Sequence, residues 1–274
     1  RPVEVRDIRI RHLDEHLLVV EKPAGINSVR HFEERSISTR RRQIQPTLEE
    51  LLPQAIARHL KLRWPPLPPL CMNRGTHRTN RARARQRPDQ IQNAKKLPPE
   101  LQVFPVHRLD RDTSGLMLFA RSRAAERQLV EMFRKHAVQR RYAAVCEGGL
   151  HPQTIRSWLV RDRGDGLRGS IESIAKPDTD VTEKPAAAQE AITHVVATKS
   201  LADGKYSLLR CRLETGRTHQ IRIHLSEAGH PICGDKIYRR LLDGTVIADT
   251  SGAPRQALHS DQLEFDHPFT GEHH

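Results

Sequence analysis

A turn dense in ionisable side chains is the first place in this sequence where chemistry could occur. Nearby arginine charge favours the ionised form of a carboxylate, so the pattern is typical of a carboxylate held ready for a reaction. The continuous apolar run after a glycine indicates a buried strand. Taken alone, the same residues are more typical of a salt-bridged surface turn. The residues are His107, Arg108, Asp110, Arg111 and Asp112, then Thr113-Ser114-Gly115 and the apolar residues 116–120.

Two blocks of the chain resemble the RluA family of pseudouridine synthases. The first is HRLDRDTSGL, which begins at His107, and the second is TGRTHQIRIHL, which begins at Thr215. The resemblance covers residues 8–29 and 103–274, and no S4-type RNA-binding module is evident in the sequence. Shorter matches keep the family order: KPAG from Lys22, RRY from Arg140 where the family has K-x-Y, Gly234-Asp235, Tyr238, and HPFTG from His267.

The resemblance implies an isomerase that converts uridine to pseudouridine in ribosomal or transfer RNA. It implies that Asp110 is the essential acid, that Arg222 pairs with it, and that Tyr142 packs against the base and helps to remove the C5 proton. Arg108 is expected to fill the gap left by the flipped base. The same comparison predicts no metal, no organic cofactor, no obligate protein partner and a monomer. Further RNA-binding residues are predicted at His107, Thr113, Lys22, Arg140, Arg217, His219 and Gln220.

Pseudouridine formation explains why a carboxylate is needed. The N1–C1′ bond breaks, the base turns, and C1′ is joined to C5, so the base must leave the stack. Cleavage of a glycosidic bond develops positive character at C1′, which a carboxylate stabilises or attacks, as in glycosidases. Whether Asp110 attacks the sugar or removes a proton from C2′ stays open at this point.

Composition favours a polyanionic partner. The chain has 274 residues with 46 Lys and Arg against 33 Asp and Glu, a formal net charge of +13. Such an excess suits nucleic acid; an acidic membrane surface is the alternative, but no basic amphipathic helix with a bulky apolar face is present. No apolar run approaches the roughly 18 residues of a membrane span, and no signal peptide is visible. We therefore expect a cytoplasmic protein without membrane association.

Cysteine and histidine spacing gives no metal motif. The four cysteines lie far apart without a C-x-x-C pair, and the 16 histidines are scattered without H-E-x-x-H. A nuclease or phosphoryl-transfer enzyme would need clustered carboxylates for Mg²⁺, and here only Asp110 and Asp112 are close in sequence. The other alternative is a basic RNA-binding protein that has lost catalysis, but Asp110, Tyr142 and Arg222 are all present.

The periodicity predicts elements that support these motifs. Residues 8–20 indicate a hairpin, and residues 47–62 a helix with Thr47 and Glu50 as a capping box; Pro53 is expected to start or kink it. The family resemblance implies the α+β pseudouridine synthase fold, a mostly antiparallel mixed sheet with flanking helices and a central cleft. Strands are predicted at residues 116–120, 138–145, 191–198 and 206–213 and in the tail, and helices at residues 123–135 and 220–228.

The segment from residue 30 to about 100 departs from the family pattern. It contains a polyproline-type connector at residues 64–70 and a basic stretch at residues 73–96 with one acid, Asp89. The stretch is too polar to form a core; it is interpreted as an arm on RNA phosphates or as a solvated linker. We predict one catalytic domain over residues 1–274 with this basic Pro/Arg-rich insertion.

Overall fold

The apolar runs predicted as buried strands are neighbours in one sheet. The computed structural model describes residues 2–30, 44–62, 97–171 and 187–274, and these residues form a ten-stranded mixed sheet with three α-helices. The predicted α+β class is confirmed. The strands are β1 Arg9–Leu13, β2 Leu17–Lys22, β3 Phe104–Pro105, β4 Ser114–Ala120, β5 Gln139–Glu147, β6 Gln153–Val160, β7 Gly169–Ser170, β8 Gln189–Leu201, β9 Tyr206–Leu213 and β10 Leu258–Glu264.

The strand order brings distant parts of the chain together. The order is β1-β2-β4-β10-β5-β9-β8-β6-β7, with β3 paired to β4. All pairs are antiparallel except β10 with β4. The predicted hairpin of β1 and β2 is confirmed, as are the strands β4, β5, β8 and β9. Because β10 inserts between β4 and β5, the end of the chain completes the middle of the sheet.

Strands β2 and β4 are buried on both faces. Leu18 and Val20 point to one apolar cluster, whereas Leu17 points to the other. This is the alternation of a strand, in which successive side chains leave opposite faces. Covering both faces explains why these strands read as continuous apolar runs rather than as alternating ones.

Gly115 is required where β4 approaches β10. Its φ is +117°, and a Cβ there would lie 2.1 Å from the carbonyl oxygen of Ser260. Any other residue would push the two parallel strands apart. The glycine of the first sequence block therefore allows β4 and β10 to pair directly after the ionisable turn.

Helix α1, Leu48–His59, covers one face of the sheet. The predicted capping box is confirmed: Thr47 Oγ1 accepts from the Glu50 N–H, and the Glu50 carboxylate accepts from the Thr47 N–H at 3.0 Å. The expectation that the helix starts at Pro53 is wrong, because it begins at Leu48 and contains Pro53. The cap and the burial of Leu48 and Leu52 outweigh the one hydrogen bond that proline removes.

Two further helices lie beside the sheet. Helix α2, Arg123–Arg134, follows the N-cap Ser122, whose Oγ accepts from the Ala125 N–H at 3.1 Å. It packs through Ala125 and Leu129 on the cluster that contains Leu17. Helix α3, Gln220–Glu227, follows β9, as the second sequence block predicted, and all of its residues except Glu227 are buried.

Some predictions lie outside the described residues. They are the polyproline connector at 64–70 and the basic stretch at 73–96. In the described ranges, no helix has the length and apolar character needed to cross a bilayer.

Candidate active site

Asp110 lies in a tight turn immediately before β4. The Thr113 N–H donates to the Asp110 carbonyl at 3.2 Å and closes the turn. From behind, Ser28 Oγ donates to the Leu109 carbonyl at 2.7 Å and accepts from its N–H at 3.0 Å. The Gly25 N–H donates to the Arg111 carbonyl at 2.9 Å. The loop after β2 therefore fixes the backbone on both sides of Asp110.

Lys22 is part of this support. It has 0% exposure, and its Nζ donates to the carbonyls of Pro23, Ile26 and Arg111 at 3.0, 2.8 and 2.9 Å. Burial lowers the pKa of Lys22 to about 7, against the attraction of Asp110 and Asp112. Lys22 was predicted to bind RNA, and the structure places its side chain inside the protein, with no exposed surface.

Arg222 on α3 joins the ionisable turn to the helix. One guanidinium NH₂ nitrogen (Nη1) donates to Asp110 Oδ2 at 3.0 Å, and the Nε donates to Asp235 Oδ2 at 2.6 Å. The other NH₂ nitrogen (Nη2) donates to Asp235 Oδ1 at 3.1 Å. Burial alone would lower the pKa of Arg222, but the two carboxylates outweigh it and raise the pKa. The predicted pairing of Asp110 with Arg222 is present, and Asp235 fixes its orientation.

His219 lies on the other side of the Asp110 carboxylate. Its Nε2 is 3.6 Å from Asp110 Oδ1, and its Nδ1 shares a hydrogen bond of 2.7 Å with the hydroxyl of Tyr238. The residue adopts the left-handed backbone conformation, with φ of 61°, as the N-cap of α3. Burial lowers the pKa of His219, although Asp110 opposes the shift. His219 was predicted to bind RNA, and the structure places it next to the candidate acid.

Tyr142 and Arg140 extend from β5 into the same cleft. Tyr142 is 6% exposed, and burial raises its pKa, so that it stays a neutral phenol near neutral pH. Burial lowers the pKa of Arg140, against the attraction of Tyr142. The Arg140 guanidinium lies against Gly216, where a Cβ would come within 2.3 Å of it. Glycine at this position therefore leaves the space that the arginine occupies.

Three of the predicted RNA-binding residues hold the cleft walls together. His107 Nε2 accepts from the Leu118 N–H at 2.9 Å, and its ring stacks on Phe133; burial lowers the pKa of His107 to about 3. Thr113 Oγ1 accepts from Gln256 Nε2 at 2.6 Å. Gln220 is 2% exposed and its amide makes four hydrogen bonds. Each side chain has at least one polar atom that is engaged by protein.

The cleft itself is open, basic and about 550 Å³ in volume. Arg108 and Arg217 are exposed on its rim. Of the lining residues that the structure describes, Asp110 alone is acidic. The second acid of the turn, Asp112, pairs with Arg111 at 3.2 Å and its side chain is 42% exposed. A single carboxylate surrounded by arginines suits an anionic substrate and one acid-dependent step.

Metal binding finds no support in the described ranges, since nowhere do three or more His, Cys, Asp or Glu side chains converge as ligands would.

Two residues of the site matched the sequence pattern but received no role from it. Asp235 has no exposed side-chain surface, and Tyr238 is 3% exposed. A signal for Asp235 was available, because Arg222 stands between Ile221 and Ile223 on a predicted helix. A buried arginine needs a carboxylate partner. The half-buried Asp110 provides one such partner, and the fully buried Asp235 provides the second.

The comparisons with known proteins agree with this geometry. A family model described as RNA pseudouridylate synthase matches residues 16–227. The chain belongs to this family. The resemblance to the RluA family that the two sequence blocks carry is thereby confirmed, and the matched region contains Asp110, Tyr142 and Arg222.

Curated relatives of the family are identical to this chain at 33–40% of the aligned residues. Ribosomal large subunit pseudouridine synthase D of Xanthomonas campestris is 36% identical over 196 residues, 64% of this chain and 51% of that protein. The tRNA pseudouridine synthase C of Salmonella typhimurium is 33% identical over 171 residues, 62% of this chain and 65% of that protein. The chain spans about half the length of the first curated relatives that it matches.

Solved structures share the fold at lower identity. Human RNA Pseudouridylate Synthase Domain Containing 1 superposes with a TM-score of 0.62 at 20% identity, covering 100% of this chain and 84% of that one. Human RNA Pseudouridylate Synthase Domain Containing 4 gives a TM-score of 0.58 at 19% identity, covering 94% of this chain and 84% of that one. These two likenesses establish the pseudouridine synthase fold.

Proposed function

We propose that this chain is an RNA pseudouridine synthase that isomerises uridine in ribosomal or transfer RNA with Asp110 as its essential acid. The observation that carries the proposal is the 3.0 Å pair of Asp110 and Arg222 inside a basic cleft. The family match over residues 16–227 supports it. The named relatives act on ribosomal and transfer RNA, which supports the substrate class.

The cleft suits a flipped base. A volume of about 550 Å³ lies within the range of ligand sites. An enzyme that works on both faces of a nucleobase must take it out of the stack, which costs a few kcal/mol. Arg108, exposed on the rim beside Asp110, is proposed to enter the space that the base leaves. Arg140 and Arg217 supply positive charge for the neighbouring backbone.

Asp110 is proposed to act on the sugar. In the isomerisation the N1–C1′ bond breaks, the base turns, the C5–C1′ bond forms, the C5 proton leaves and N1 gains a proton, so that substrate and product have the same atoms. The Asp110 carboxylate either attacks C1′ or removes a proton from C2′, and both routes need the anion. Arg222, held by Asp235, keeps that anion oriented toward the cleft.

Tyr142 is proposed to pack against the base and to take part in transfer of the C5 proton. Its raised pKa keeps the hydroxyl protonated in the free protein. The phenol can therefore donate a hydrogen bond at once, but it accepts a proton only after releasing its own. A hydroxyl that passes one proton on as it receives another meets this condition.

We extend the proposal to a cytoplasmic monomer that binds RNA without a membrane or an obligate protein partner. The net charge of +13 supports the RNA partner. Residues 1–274 are proposed to be a single catalytic domain, in which the basic insertion at about 30–100 adds contacts to RNA phosphates. Pseudouridine formation in this family needs no metal or organic cofactor.

Tritium release tests the proposal without knowledge of the modified site. Unmodified ribosomal and transfer RNA labelled as [5-³H]uridine are incubated with the protein in EDTA, because the isomerisation must replace the hydrogen at C5. Release from either RNA supports the proposal and identifies the substrate class. No release from either RNA, with tight salt-sensitive binding retained, contradicts it and supports a non-catalytic RNA-binding protein.

A further inference from the structure

A second, smaller pocket lies beside the cleft and shares Arg217 with it. Its volume is about 130 Å³, and three of its lining side chains are arginines, Arg161, Arg168 and Arg217. Gln189 and Thr218 add polar groups. The pocket is close to the catalytic end, since the charge of Arg168 contributes to the pKa of both His219 and Tyr238.

In the hairpin loop between β6 and β7, the two aspartates form hydrogen bonds within the loop. Asp162 Oδ1 accepts from the N–H groups of Gly164 and Gly166 at 2.8 and 2.9 Å. Asp165 binds the guanidinium of Arg163 at 3.0 Å. Among the described residues, neither carboxylate forms an ion pair with Arg161 or Arg168.

Arg161 and Arg168 remain without an ion-pair partner among the residues that the structure describes. Arg161 is exposed and Arg168 is half-buried. Arg217 is held by one hydrogen bond, from Nε to the Glu190 carbonyl at 2.9 Å, which leaves its two NH₂ groups for another acceptor. No described lining residue of this pocket is acidic. Three cations around one small space need an anion of matching size.

We propose that this pocket binds the phosphodiester group of a nucleotide next to the target uridine. The inference rests on the proposed function. Arginine matches phosphate oxygens with paired N–H donors, and a base turned into the cleft leaves its backbone at the rim. Because Arg217 borders both spaces, a phosphate held here fixes the strand relative to Asp110.

The double variant Arg161→Gln/Arg168→Gln tests the site in two measurements. In the tritium assay we expect KM to rise about tenfold while kcat changes little, because two phosphate contacts are removed. In equilibrium binding of the same RNA we expect the slope of log K against log salt to become shallower by about 1.4, or about 0.7 per contact with a single strand. The double variant Arg161→Lys/Arg168→Lys should bring KM and the salt slope most of the way back to the wild-type values, because the charge is kept.

Arg9→Gln/Arg11→Gln is the matched control. It removes the same charge from β1, at the opposite edge of the sheet from β6 and β7. Equal changes in the test and control variants would overturn the inference, because net charge alone would then explain them. Unchanged KM and slope in the test variant, or a loss confined to kcat, would also overturn it.

The two proposals fail separately. If wild type releases no tritium, the proposed function fails, but the binding slopes still decide whether the pocket holds phosphate. Melting by circular dichroism shows whether the glutamine variant is folded. If it is not, the single variants Arg161→Gln and Arg168→Gln decide: a slope shallower by about 0.7 in each supports the site, and wild-type slopes in both overturn it.

Discussion

The carboxylate of Asp235 binds the guanidinium of Arg222 through hydrogen bonds of 2.6 and 3.1 Å. The same carboxylate accepts from the N–H groups of Ile237 and Tyr238 at 2.9 and 3.1 Å. Asp235 is thus fixed by backbone as well as by arginine, and the remaining NH₂ group of Arg222 is left for Asp110. The position of the candidate acid is set by a residue that does not line the cleft.

Replacement of Asp235 by asparagine should lower turnover more than substrate binding. Arg222 would lose one charged partner and its fixed orientation toward Asp110, and a small misplacement at a reacting group costs roughly 10²-fold in rate. We expect kcat for tritium release to fall by about that factor, with KM changed less than threefold, and stability to fall by about 3 kcal/mol. Asp243→Asn, on an exposed turn, is the control; equal kcat values for the two variants would contradict the positioning role.

Tyr142→Phe should separate the contribution of the hydroxyl from that of the ring, because it removes only the hydroxyl. The ring still packs in the cleft, but no group is left to relay the C5 proton, which is worth roughly 10²–10⁴-fold in rate. We expect kcat to fall within that range while RNA binding stays near wild type. Tyr206→Phe, at the beginning of β9, provides the same change elsewhere in the sheet. A kcat for Tyr142→Phe within threefold of wild type would show that the hydroxyl takes no part.

Lys22→Met should destabilise the protein and disturb the turn of Asp110. The carbonyls of Pro23 and Ile26 would lose their donor and the Arg111 carbonyl one of its two, which we expect to cost about 3 kcal/mol and to lower Tm by roughly 5–10 °C. Turnover should fall as well, because the Arg111 carbonyl is one of the three. Calorimetry and the tritium assay measure the two effects. Lys199→Met on β8 is the exposed control, and matching Tm values for both variants would exclude the supporting role.

The half-buried His107 and the buried His224 should make stability fall in acid. Burial lowers their pKa values to about 3 and about 4, from 6.5 for the ordinary side chain. Below pH 6.5 the unfolded chain therefore binds more protons than the folded one. Each histidine should remove about 1.4 kcal/mol per pH unit as pH falls from 6.5 toward its folded pKa.

Urea unfolding between pH 7.5 and 5 measures this dependence. His224 bridges Ser157 and Thr193, with ring nitrogens 2.9 Å from each hydroxyl. His224→Gln should lower the stability at pH 7.5 and make the slope below pH 6.5 shallower by about 1.4 kcal/mol per unit. The exposed His151→Gln should leave the slope unchanged. An unaltered slope in His224→Gln would show that this histidine is not neutral in the folded state.

Local signals were enough to predict the elements around the site. The capping box of Thr47 and Glu50 begins α1 where predicted, and Ser122 begins α2. The apolar run after Gly115 predicts a strand that is buried on both faces. These helix starts and this strand depend on residues that are close in sequence, so a single sequence is enough to predict them. The pair of Asp110 and Arg222 is 112 residues apart, and only the family resemblance brought its members together.

Other contacts of the site could not be predicted in the same way. Gly25 and Ser28 hold the turn of Asp110 across more than 80 positions, and no local pattern marks such pairs. Lys22 is different, since a signal was present. Leu18, Val20 and Lys22 alternate on β2, so the period of a strand puts the lysine on the buried face with the two apolar residues. The resemblance placed Lys22 near the cleft, whereas the strand period indicates that its side chain points to the buried face.

The most direct measurement compares two acids of one turn. Asp110 pairs with Arg222 and lines the cleft, whereas Asp112 pairs with the exposed Arg111. Tritium release is followed for Asp110→Asn and Asp112→Asn on the RNA that responds to wild type, with both variants shown to be folded. The account predicts a loss of roughly 10³-fold or more for Asp110→Asn and less than about threefold for Asp112→Asn. Near-normal release by Asp110→Asn, or equal losses in both variants, would contradict it.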